Sequence, residues 1–71
     1  MLPIPVIKTD ISGITISTVI LEHDHLYVYP YETMIFEDGE AILDEWQKRA
    51  QTHEEAIAHH LEAIHVVLRR K

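Results

Sequence analysis

Cysteine is missing from this chain altogether. Disulfides and thiolate metal sites are thereby excluded, and histidine and carboxylate remain as the side chains suited to a metal. Glycine occurs only at Gly13 and Gly39, too sparsely for a phosphate-cradling loop. Lysine and arginine are absent between Thr9 and Gln47, and the formal charge is −6. Phosphate binding needs a basic face, so direct nucleic-acid binding is not expected. No apolar run approaches the roughly 18–20 residues of a membrane span, and Met1-Leu2-Pro3-Ile4-Pro5 lacks the basic-then-apolar order of a targeting signal. These absences point to a soluble, cytoplasmic protein without a membrane partner.

Seventy-one residues allow one domain with a thin core, a size at which association often supplies the missing stability. A homodimer is therefore expected. The acidic residues Glu22, Asp24, Glu32, Glu37, Asp38, Glu40, Asp44 and Glu45 all fall within the lysine- and arginine-free stretch. They read either as a solvated surface or as a face that docks on a basic partner. Tyr27, Tyr29 and Tyr31 flank Pro30 and could join such a face, since interfaces are rich in aromatics. The candidate partner-binding set is thus Glu22, Tyr27, Tyr29, Tyr31, Glu37, Asp38, Glu40, Asp44 and Glu45. Trp46 fits either the core or an interface.

Pro3 and Pro5 keep the first residues extended and deny them two ladder donors, which suits an arm or edge strand over residues 1–13. Asp10-Ile11-Ser12-Gly13 is a turn signal. A β-branched run follows at 14–21, in which Ile14, Ile16, Thr18 and Ile20 share the more apolar face. Residues 31–37 read as a third strand, with Glu32, Met34 and Phe36 on one side and Tyr31, Thr33 and Ile35 on the other. Grouping by apolar bulk places Glu32 beside core residues. Asp38-Gly39 is a tight-turn dipeptide. In 41–51, Ile42, Leu43, Trp46 and Ala50 fit a helical stripe, while Ile42, Trp46 and Ala50 also share a strand face. A fourth strand over 43–49 is the more economical expectation. Thr52 with Glu55 three positions on forms a capping box. It starts an amphipathic helix over 53–69 whose apolar stripe reads Ile57, Leu61, Ile64, Val67 and Leu68. The expected fold is α+β, a three- to four-stranded antiparallel sheet over 14–51 with one C-terminal amphipathic helix (52–70) packed on one face.

On the helical wheel His53 and His60 fall within that stripe, His65 at its edge and His59 away from it. A buried His60 must pair both ring nitrogens, and an unmet group there costs about 1–3 kcal/mol. Asp24, His25 and Glu32 are the available neighbours. Three readings stay open. His60 could bond Glu32, Asp24 or backbone and fix helix to sheet. A polar cluster of Asp24, His25, Glu32 and His60 has ligand types that suit zinc, without a recognised metal spacing. An oriented histidine could also move protons in a small hydrolase, but no nucleophile or oxyanion loop accompanies it. A non-enzymatic protein without a cofactor is the expectation.

Ser17-Thr18-Val19-Ile20-Leu21-Glu22-His23-Asp24-His25, then Tyr31-Glu32-Thr33-Met34-Ile35-Phe36, then Arg49 followed by Thr52-His53-Glu54-Glu55-Ala56 and His60, set a recurring order. It resembles a family of small uncharacterised proteins of tailed bacteriophages and prophages, especially of actinobacterial hosts. Their pattern runs S-T-V-x-L-x-x-D-H, F-E-T-M-[VI]-F, then R-Y-x-T-W-x-E-A-x-x-G-H. Relative to that pattern the loop before Pro30 is short and lacks glycine, His53 replaces an aromatic and His59 a small residue. The resemblance implies a setting, a phage protein at work in a bacterial cytoplasm. It draws attention to Asp24, His25, Glu32 and His60. Together with the acidic body it suggests an accessory protein that binds a host or phage protein, for example by inhibiting a defence complex as anti-CRISPR proteins do.

Overall fold

The computed structural model describes residues 4–21, 30–41 and 46–69. Five strands and one helix follow in chain order: β1 (Ile4–Ile11), β2 (Ile14–Ile20), β3 (Tyr31–Glu37), β4 (Glu40–Ala41), β5 (Gln47–Ala50) and α1 (His53–Arg69). β1, β2 and β3 are sequential antiparallel neighbours. β4 and β5 share the far edge of β3, opposite Phe36–Glu37 and Tyr31–Met34 respectively. The result is the expected α+β architecture, an antiparallel sheet of four strand positions under one C-terminal helix. The fourth position is divided, however. The run expected at 43–49 pairs at 40–41 and 47–50 instead, and 42–45 lie outside the described residues.

Two tight turns explain the hairpins. Ser12 and Gly13 have φ of 48° and 86°, and Asp38 and Gly39 have 54° and 82°. Two consecutive left-handed residues make the turn whose twist matches that of paired strands, and glycine supplies the second at no steric cost. Both dipeptides thereby set register, Ile11 opposite Ile14 and Glu37 opposite Glu40.

The capping box forms as expected, with a shift. The Glu55 backbone N–H donates to Thr52 Oγ1 at 3.1 Å, while the Glu55 carboxylate accepts from the Gln51 N–H at 2.9 Å, one residue earlier than the standard reciprocal bond. Glu54 and Glu55 in the first turn and Arg69 in the last both complement the helix dipole.

The helix is rotated relative to its expected stripe. Its buried residues are Ala56, His60, Ala63 and Val67, spaced i, i+4, i+7, i+11. Leu61 and Leu68 remain 54% and 53% exposed. Size accounts for this. Alanine lets the helix axis approach the sheet closely, and the core it closes on is already filled by Ile14, Ile16 and Ile35, with Ile11, Trp46, Ile64 and Val66 packed around it. Burying a large aliphatic side chain is worth about 1.5–3 kcal/mol, so Ile16, Ile35 and Val67 anchor the layer contact.

Two substitutions on α1 should therefore behave opposite to hydropathy. Ala63→Leu is expected to destabilise by about 1–3 kcal/mol through overpacking, whereas Leu61→Ala should stay within about 0.5 kcal/mol of the parent. Urea unfolding followed by circular dichroism measures both. Equal losses would show that the helix sits on its leucines.

Candidate functional site

Strand alternation directs Thr9, Thr18 and Thr33 to the helix-bearing face of three adjacent strands, with Thr18 directly opposite Thr33. A β-branched hydroxyl suits a strand but is costly in a core unless it is bonded. His60 meets that need from above. Its Nδ1 lies 2.8 Å from Thr18 Oγ1 and its Nε2 2.9 Å from Thr9 Oγ1, and Thr18 Oγ1 lies 2.8 Å from Thr33 Oγ1. Thr18, Thr33 and His60 are all buried, with exposures of 0, 1 and 2%.

Four groups in a row can share their hydrogens in two ways. A neutral imidazole has one N–H and one acceptor nitrogen, and each hydroxyl has one hydrogen. Thr33 can donate to Thr18, Thr18 to Nδ1, and Nε2–H to Thr9. The reverse order donates from Thr9 to Nε2, from Nδ1–H to Thr18, and from Thr18 to Thr33. Either direction satisfies both ring nitrogens. Burial pushes the His60 pKa below its ordinary value, because the charged ring would lose its hydration. The enclosed ring thus spends both nitrogens on holding α1 to β1 and β2, and through Thr18 to β3.

Glu32 takes no part in this network. It lies opposite Val19, on the face away from α1, where its carboxylate accepts from Gln47 Nε2 at 2.6 Å and stands 3.5 Å from Arg49 Nε. The expectation that Glu32 sits beside the core and His60 is corrected: the strand β3 turns Thr33 and Ile35 inward, so Glu32 and His60 occupy opposite faces of the sheet. The partners of His60 are threonine hydroxyls in place of Glu32. Asp24 and His25 lie outside the described residues. Among the described residues, no three histidines or carboxylates gather as a metal site would require.

The other histidines also depart from the wheel. His53 is exposed and meets the half-buried Tyr31 ring edge-on, 5.8 Å between centroids. His59, expected to point away, is half-buried, and its Nδ1 is enclosed with no hydrogen-bond partner. Trp46 packs against the core with Lys48 Nζ 5.7 Å from its ring centroid, and Lys48 also pairs with Glu62 at 2.9 Å.

Of the partner-binding set, Glu37, Asp38 and Glu40 are exposed together at the β3–β4 turn. Glu22, Tyr27, Tyr29, Asp44 and Glu45 lie outside the described residues. The face of the sheet away from α1 carries Val19, Met34 and Phe36, each half-buried, alternating across strands with Glu32, Ser17 and Thr15. No helix among the described residues is long and apolar enough to cross a membrane. No family model, curated protein or solved structure matches this chain.

Thr18→Val should leave one imidazole nitrogen and the Thr33 hydroxyl without a partner, at about 1–3 kcal/mol for each group left unmet; denaturant unfolding measures the loss. The pH dependence has a definite sign. The unfolded chain protonates histidine near pH 6.5 while the buried ring resists, so below that value the unfolded state binds more protons. Stability is expected to hold above about pH 6.5 and to fall as the pH drops toward the lowered folded value. A His60→Gln variant with the same decline between about pH 7.5 and 5.5 would assign the effect to another group.

Proposed function

We propose that this chain is a small phage-encoded accessory protein that acts by binding another protein, of the host or of the phage. Inhibition of a bacterial defence complex, in the manner of anti-CRISPR proteins, is the role that fits best. One observation carries the reading: the exposed acidic turn of Glu37, Asp38 and Glu40 stands beside the sheet face opposite α1, which carries the half-buried Phe36, Met34 and Val19. An apolar centre beside a charged rim is the anatomy of a protein interface. The acids favour a partner with a basic surface, and their charge would speed encounter with it. The motif order described above supports the phage setting.

In this reading His60 works indirectly, by fixing the sheet on which the docking face is built. Affinity capture from lysate of an actinobacterial host tests it. The wild-type chain should retain a defined protein that the Glu37→Lys, Asp38→Lys, Glu40→Lys triple variant does not, with the melting curve of the variant unchanged. Retention of the same protein by both chains would remove the acidic turn from the interface, and retention of none would count against the function itself.

A further inference from the structure

Among the described residues β1 forms an edge of the sheet. An edge strand presents unpaired backbone N–H and C=O groups, and most folds blunt it with proline, bulges or charge. Here proline and a bulge fall at the start of the strand, where Pro5 has no N–H and the register with β2 shifts between Pro5 and Ile7, and the charges Lys8 and Asp10 follow further along. From Ile7 to Ile11 the register is regular, and the residues read Ile-Lys-Thr-Asp-Ile.

That run is a chemical palindrome. Lys8 lies opposite Ser17 and Asp10 opposite Thr15, so both project from the face away from α1, and both are exposed. Thr9 projects toward His60, with Ile7 and Ile11 on the same side. Two copies aligned antiparallel about a two-fold axis at Thr9 set Ile7 against the partner's Ile11, Lys8 against the partner's Asp10, and Thr9 against itself. The remaining pairs repeat these by symmetry. Opposite charges directly across an antiparallel pair are favourable and like charges are not. A slip of the pairing in either direction that preserves the faces brings Lys8 opposite Lys8 or Asp10 opposite Asp10. Any other slip sets isoleucine against a charge. The charges therefore specify one register.

The helix leaves room on this side. α1 lies mainly over β2, β3 and β5 and reaches β1 only at its margin. Glu62 turns one flank toward Lys48 on β5. Ile57, Leu61, Ile64 and Leu68, spaced i, i+4, i+7, i+11, occupy the flank away from β5. On that flank Leu61 and Leu68 are each about half exposed.

We propose that the chain forms a two-fold homodimer through β1, joining two sheets edge to edge, with Lys8 and Asp10 of each copy paired across the axis. This interface is separate from the acidic turn at β3–β4 and does not rest on the binding function argued above. Sedimentation velocity of the full chain tests it through charge reversal. The wild type should be dimeric, and Lys8→Asp or Asp10→Lys alone should each weaken association about tenfold or more. An equimolar mixture of the two single variants should form a heterodimer, because one chain then carries two acids and the other two bases. The Lys8→Asp, Asp10→Lys swap should dimerise like the parent. Among the described residues the Lys8 side chain makes no hydrogen bond or ion pair, whereas Asp10 accepts from Thr15 Oγ1 on β2. Lys8→Asp is therefore the cleaner variant, and an unchanged melting curve verifies that it folds. A wild type that stays monomeric up to about 1 mM would overturn the proposal. So would a dimer indifferent to both reversals, or a mixture that fails to associate.

Discussion

A single imidazole joins the helix to strands β1 and β2 directly and to β3 through Thr18, beside the apolar contact of Ile16, Ile35 and Val67. The sheet is shallow, its core is a handful of aliphatic side chains, and the helix rests on it through two alanines, a valine and His60. Alanine contributes closeness but little buried area. The ring fills the space those alanines leave and reaches strands at two positions, with a third strand engaged through Thr18. Because every member of the row is neutral, the network avoids the heavy desolvation cost of a buried ion pair. It is also intolerant of partial loss, since each hydroxyl depends on the next for its hydrogen.

Much of the frame was legible in the residues, and the misreadings have physical causes. Ile14, Ile16, Thr18 and Ile20 identified the inner face of β2, and residues 31–37 and 53–69 were located with the bounds they have. Turn and cap chemistry acts within a few residues, which is why Asp38-Gly39 and Thr52–Glu55 were reliable guides. Side-chain bulk was a poorer one. Met34 and Phe36 outweigh Thr33 on any hydropathy count, yet the pairing of Thr18 with Thr33 turns threonine inward and phenylalanine outward. The same bias chose Leu61 and Leu68 over Ala56 and Ala63 on the helix. In both cases a small or polar residue faces in because it fits a specific neighbour, which hydropathy does not encode.

The signal for the threonine row was present. Thr18 stood among three isoleucines on a face recognised as core, and a buried hydroxyl demands a partner. What the sequence withheld was distance along the chain. Thr9, Thr18, Thr33 and His60 show no spacing that marks them as a set, and only the sheet register brings them into line. Carboxylates drew attention instead, because acid–histidine pairs are the familiar arrangement, and Glu32 lay close to the right place on the wrong face.

The reach of the Thr9–His60 bond also bears on how the chain gets to its final form. Its two ends are separated by 51 positions of the sequence, whereas β1–β2 and β3–β4 are hairpins closed by two-residue turns. Local hairpins form quickly because little chain entropy is lost in closing them, and distant contacts come at greater entropic cost. Docking of α1 is then later than closure of the hairpins, and the Thr9–His60 bond, which joins β1 to α1, marks its completion.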